Sequence, residues 1–258
     1  MKNILKLILF TILIFPLPAA ELSTGEALFR KALAGEADYS AAASEFTHMI
    51  DQKTADSGAL YYNLGNALYL DGDHIAALTA YSAALNYRPG NSDYIANRDL
   101  LLTEMELPLP VPSGTEYIFH APVMLLGSPG SLLLLTIMLM TALFSAALYL
   151  GTRSEIYRTG SFIILFLAFT LSISIFSWQY GRADPAVVKN ENTVLRQGDS
   201  PLYAGVSDLP PGTEVRIIEE REGWYRIKTM RTQNTQSTEG WLRSRDLMKI
   251  SELLETLK

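Results

Sequence analysis

The sequence predicts a multi-domain membrane protein made of an all-α helical-repeat solenoid, a two-helix transmembrane hairpin and a small all-β barrel. Three observations predict it. Two apolar runs, residues 131–150 and 161–180, carry no charged residue and are separated only by residues 151–160. Each run of 20 residues spans about 30 Å as a helix, the thickness of a hydrocarbon core. Before these runs small and aromatic residues recur at helical-repeat spacing, and after them the period shortens to that of strands. So short a connector forces the spans antiparallel, which places the flanking modules on the same side.

The amino terminus sets which side that is. Lys2 and Lys6 precede an apolar stretch at 7–15, then Pro16, Pro18, Ala19 and Ala20. A charged head, a short apolar middle and a small-residue exit predict a signal peptide over 1–20. Export of the chain from Glu21 onward leaves the 151–160 loop in the cytoplasm. There Arg153 and Arg158 oppose the single Glu155, in keeping with positive charge inside. The expected location is the inner (cytoplasmic) membrane, with both soluble modules periplasmic.

Residues 21–106 form the first module. Tyr61, Leu64, Gly65 and Leu68 fall on one helix, and Ala77, Tyr81 and Ala84 on the next, with Pro89 ending the unit. Gly65 and Ala77 let two helices approach closely while Tyr81 fills the gap toward the neighbouring pair. Asp71, Gly72 and Asp73 supply the turn and the cap of the second helix. With a period of about 34 residues, this unit resembles a tetratricopeptide repeat. Asp38, Tyr39, Ala42 and Phe46 repeat the order Asp73, His74, Ala77 and Tyr81, which predicts an earlier hairpin. Its first helix, 24–34, is weaker because Arg30 stands where the close-contact glycine belongs. A final helix over 93–106 carries Arg98 and Asp99 in place of Leu64 and Gly65 and caps the stack. The resemblance implies a concave protein-binding groove faced by Lys31, Tyr62, Asn66 and Tyr69, with Lys31 and Asn66 gripping a peptide carboxylate. The alternative is that Asn63 and Asn97 satisfy local backbone groups and that the tyrosines pack.

Residues 107–130 hold Pro108, Pro110, Pro112, Pro122 and Pro129, which predicts a semi-stiff spacer rather than a continuous helix. Residues 118–126 are apolar enough to lie in the headgroup layer.

The last module covers 187–250. Alternating stretches at 214–218 and 224–228, bounded by Pro210-Pro211-Gly212 and Glu222-Gly223, predict strands whose inner face is Val215, Ile217, Tyr225 and Ile227. Val194-Leu195-Arg196, Pro211-Gly212-Thr213, Gly223-Trp224-Tyr225 and Gly240-Trp241-Leu242 follow in the order of the bacterial SH3-like domain, which the module closely resembles. The resemblance implies peptidoglycan peptides or proteins as ligands, with Trp224, Tyr225 and Trp241 as a ligand surface; core and rim packing is their other possible role. Residues 231–238 read as a mobile polar insertion.

Composition removes other classes. The formal charge is −6, and between residues 21 and 107 thirteen carboxylates face five cationic side chains. A module of that sign is no nucleic-acid binder. The chain has no cysteine and three scattered histidines, so no disulfide, thiol nucleophile or metal site is expected. No nucleophile elbow or phosphate cradle is present. The expectation is a non-enzymatic protein without cofactor. The order of leader, repeats, membrane hairpin and SH3-like module resembles the BatE-type proteins of the Bat (aerotolerance-associated) group. That resemblance implies an envelope scaffold working with membrane-anchored von Willebrand A-type proteins and a MoxR-type ATPase. A cell-wall sensor that binds peptidoglycan through the SH3-like module is the alternative.

Overall fold

The computed structural model describes residues 24–52, 57–111, 114–180 and 184–258. The leader predicted over 1–20 lies outside these residues. Five helices come first: α1 (Thr24–Leu33), α2 (Tyr39–Asp51), α3 (Ser57–Asp71), α4 (His74–Tyr87) and α5 (Ser92–Glu104). Each packs on the next in chain order. Local chemistry sets the ends. Gly72 takes a φ of 94° between α3 and α4, and the Asp73 carboxylate accepts from the Ala76 amide at 3.0 Å. Asn91 caps α5 by accepting from the amides of Asp93 and Tyr94. Phe46, Leu64, Leu78, Tyr81 and Leu101 are fully buried between the helices.

A close approach is observed at Gly65, as expected, but against the Tyr81 ring of its own hairpin rather than against Ala77. A Cβ there would lie 2.6 Å from the Tyr81 ring. The first hairpin has the same device at a different position: a Cβ on Gly25 would lie 2.7 Å from the Phe46 ring. Arg30 therefore interrupts nothing, because the contact glycine sits five residues earlier than the repeat spacing places it.

Helix α6 (Gly114–Thr152) and helix α7 (Glu155–Tyr180) form an antiparallel hairpin. Two stretches, Gly130–Thr152 and Glu155–Ser177, are long and apolar enough to cross a membrane. The loop expected over 151–160 is shorter than its sequence suggests. Only Arg153 and Ser154 are non-helical, and Arg153 takes a φ of 56°. Small residues form the seam: Ala142, Ser161 and Ala168 are buried, and the Ser161 hydroxyl donates to the Ala142 carbonyl at 3.3 Å. Small side chains and Ser hydroxyls are how helices approach in lipid. Leu143, Phe144, Phe162, Phe166 and Phe169 point outward, an arrangement that water would penalise and acyl chains would not. The spacer expected over 107–130 is also corrected. Its second half is helical from Gly114, and the single non-helical residue inside α6 is Gly127.

The carboxy-terminal module is an antiparallel sheet of β1 (Asp184–Val188), β2 (Thr193–Arg196), β3 (Gly205–Leu209), β4 (Glu214–Arg221), β5 (Trp224–Thr229), β6 (Glu239–Arg243) and β7 (Leu247–Lys249), in the order β3-β2-β6-β5-β4-β1-β7. A last helix, α8 (Ile250–Thr256), follows. The inner face expected from alternation is present: Val215, Tyr225 and Ile227 are buried with Leu195, Leu242 and Leu247, and Ile217 packs beside them.

The two soluble modules share a core. On β1, Ala186 and Val188 face the sheet interior, whereas Val187 between them belongs to the helical cluster. Leu253 of α8 is buried in the same helical cluster, flanked by Met248, Ile250, Leu254 and Leu257. The 210–213 turn fits against the end of α5, since a Cβ on Gly212 would fall 2.5 Å from Leu107. Polar contacts lock the seam. Ser82 of α4 donates to Glu214 of β4, Arg98 lies 4.0 Å from the same carboxylate, and Lys258 pairs with Asp51 at 2.8 Å. Residues 231–238, expected to be mobile, instead anchor the linker. The Val111 amide donates to the Arg231 carbonyl at 2.8 Å, and Pro110 bridges to Thr232. Modules that share a core must lie on one side of any bilayer the hairpin crosses.

Glu214 is 5% exposed, so removing its carboxylate leaves the Ser82 hydroxyl without its acceptor in the seam, while Arg98 keeps Asp99 at 2.7 Å; losing a buried hydrogen-bond partner costs about 1–3 kcal/mol. In detergent, wild type should show coincident thermal transitions by helical dichroism and by tryptophan fluorescence, two of its three tryptophans being in the sheet. Glu214→Ala should separate them, with the earlier transition shifted down by several degrees. Coincident, unshifted curves in the variant would refute the lock.

Candidate functional site

Two surfaces were expected to bind partners. On the helices, the structure takes Tyr62 and Asn66 out of the proposed groove. Tyr62 is 8% and Asn66 2% exposed. Both join a network bridging three helices. The Asn97 amide donates to the Tyr62 hydroxyl and to Asn66 Oδ1, each at 2.9 Å, and the Tyr81 hydroxyl donates to Asn66 Oδ1 at 2.8 Å. Burial pushes the Tyr62 phenol up to about 12 and that of Tyr81 well above its ordinary value. Tyr62 also stacks on Tyr94, with ring centroids 4.6 Å apart. Tyr69 is half-buried. Its hydroxyl donates to Glu104 at 2.9 Å, and burial, then that bond, push it up to about 12. Lys31 is exposed on the last turn of α1. The expected clamp of Lys31 and Asn66 is therefore corrected: Asn66 is buried inside the stack, where its Oδ1 is paired and its Nδ2 has no partner among the described residues, and of the two only Lys31 is exposed. The alternative is met only in part: the tyrosines pack, but Asn97 serves the side chains of Tyr62 and Asn66 on another helix rather than local backbone groups.

On the sheet, the three aromatic residues separate. Tyr225 is buried under Lys249, whose Nζ lies 4.5 Å from the ring centroid. Trp241 is 8% exposed and covered by Arg221 at 4.5 Å. These two do not form a shelf. Trp224 does remain accessible. It opens β5, pairs in register with Arg243 on β6, and has the Arg243 guanidinium 5.6 Å above its ring. Together with Asn190, Thr193, Arg196 and Asp246 they line a recess of about 380 Å³. Its walls are ordered from within. Asn190 donates to Asp246 at 2.9 Å, and Arg196 donates to the carbonyls of Pro201 and Tyr203. An indole with the Arg243 guanidinium over its ring, in a recess that Arg196 also lines, suits a ligand that carries both a carboxylate and a flat or apolar part. Arg243 and Arg196 were missed in the sequence; the signal was there for Arg243, since strand register places it opposite Trp224.

Residues 191–248 match the family described as the bacterial SH3 domain. The match contains Trp224, Arg196 and Arg243, hence most of the recess. No curated protein and no solved structure matches the chain.

Asn97→Ala strips both Tyr62 and Asn66 of a buried donor, which should destabilise the helices by about 1–3 kcal/mol. Lys31→Ala on the surface should stay within about 0.5 kcal/mol of wild type. Denaturant unfolding followed by helical dichroism distinguishes them, and equal midpoints for the two variants would contradict the assignment.

Proposed function

We propose that this chain is a non-enzymatic adaptor of the inner membrane, whose two docked modules form one periplasmic head on a two-helix anchor. The observation that carries this reading is the open Trp224 recess in a bacterial SH3 domain. The other long flank of that domain is occupied by helix α4. A domain of this kind, fixed to a helical stack and left with one open polar face, is built to hold a partner at a set height above the anchor. The helices are read as two tetratricopeptide repeats and a capping helix. The repeated Gly–aromatic contacts at Gly25–Phe46 and Gly65–Tyr81 support that reading. The partners proposed are proteins of the envelope, in a Bat-type system with von Willebrand A-type membrane proteins and a MoxR-type ATPase.

A second reading makes the chain a cell-wall sensor. It is favoured by the three arginines that line the recess, Arg196, Arg243 and Arg245, which suit the carboxylates of peptidoglycan stem peptides. One pair of measurements separates the readings. A photocrosslinking residue at position 224 in living cells should capture a discrete envelope protein that the same residue at Asp71 does not. With purified sacculi, the sensor reading requires cosedimentation that falls at least fivefold in Trp224→Ala. Protein adducts without cosedimentation support the adaptor; cosedimentation without adducts supports the sensor; neither result leaves the recess without the role assigned to it.

A further inference from the structure

Residues 114–126, which precede the first apolar stretch, fold back against the hairpin instead of leading away from it. Gly127 takes a φ of 68° and a ψ of 173°, and the Ser131 hydroxyl reaches across the bend to the carbonyls of Gly127 at 2.8 Å and Pro122 at 3.1 Å. The reversal carries Val123, 1% exposed, into a buried cluster with Leu171 and Ile175 of α7, flanked by Leu135 and Met138 of α6. Leu135 lies five residues inside Gly130, where the apolar stretch begins, about 8 Å along a helix. Val123 thus sits below the outer end of the hairpin. Its neighbours Leu125 and Leu126 face away from the protein, 80% and 50% exposed. On the opposite flank the arm touches the turn between α4 and α5 so closely that any Cβ on Gly90 would collide with the Met124 carbonyl oxygen.

We infer that this arm is a re-entrant membrane wedge, with Leu125 and Leu126 inserted among the lipid acyl chains beside the hairpin. The occupant of this apolar face is the bilayer itself. The arm is covalently continuous with the first apolar stretch, shares a buried cluster with both hairpin helices, and reaches a depth within the 5–10 Å of an interfacial helix. A second protein would have to displace lipid at that level. Held by the hairpin on one side and by Gly90 on the other, the wedge fixes the height and tilt of the helical module over the membrane. The inference rests on the reading of α6 and α7 as membrane spans.

The cysteine-free chain permits single labelled cysteines in the full-length protein, reconstituted in phosphatidylethanolamine and phosphatidylglycerol vesicles. Leu125→Cys, Leu143→Cys at an exposed site within the first apolar stretch and Asp71→Cys on the helical module each receive an environment-sensitive fluorophore. Lipids brominated near the carbonyl or near the chain end then report depth. The expected result is quenching at 125 at least twofold stronger by the shallow bromines than by the deep ones, the reverse preference at 143, and none at 71. An unquenched label at 125 beside a quenched label at 143 overturns the wedge and leaves the spans standing. Absence of quenching at both overturns the spans and the wedge together.

Discussion

One strand, Asp184–Val188, has to satisfy two cores at once. Its alternation sends Ala186 and Val188 into the sheet and Val187 into the helical cluster, so neither module closes without the other. The strand begins four residues after the end of α7 at Tyr180, which leaves little slack between anchor and head. The length of chain between hairpin and sheet, the docking of α8 on α4 and the return of the linker to the 231–238 turn all follow from where β1 must lie.

The seam that β1 creates is mostly apolar but has a carboxylate at its centre. Glu214 is buried between Ser82 and Arg98, a costly choice where an apolar side chain would often serve as well or better. Its effect is directional. Apolar surfaces slide; a carboxylate that must meet a hydroxyl on α4 and a guanidinium on α5 admits one register of sheet on helices. Together with Lys258 and Asp51 at the far end of the seam, it turns adhesion into a defined orientation and so determines which face of the sheet is left open. That face carries Trp224 and Arg243.

Much of this was legible in the sequence, and the parts that were not share a cause. The apolar runs, the close-contact position at Gly65 and the alternating strand face depend on local period, which sequence displays; that Tyr81 rather than Ala77 is the partner of Gly65 does not. Gly25 was overlooked because the first hairpin is longer than the repeat that predicts it, and Arg30 drew attention to the wrong turn. Tyr62 and Asn66 have outward spacing on α3, yet α5 covers them and Asn97 supplies their hydrogen bonds; only the position of the third helix decides between groove and interior. Tyr225 and Trp241 were grouped with Trp224 by residue type, whereas burial separates them. The docking of the modules has no local signature at all, since Ser82 and Glu214 are 132 residues apart. The five prolines of the linker suggested a spacer, but those in its second half are accommodated by a helix that breaks only at Gly127.

The central claim is that both modules dock as one head on the exported side of the membrane. Pro110 and Thr232 face each other across an antiparallel bridge between linker and sheet; such Cα pairs lie about 4.5–5.5 Å apart, within reach of a disulfide. The chain has no cysteine of its own, and a disulfide persists only in an oxidising compartment. The account predicts that Pro110→Cys with Thr232→Cys forms an intramolecular disulfide in untreated cells, read as a single linked peptide by mass spectrometry. Two free thiols, both alkylated in intact membranes, would contradict it.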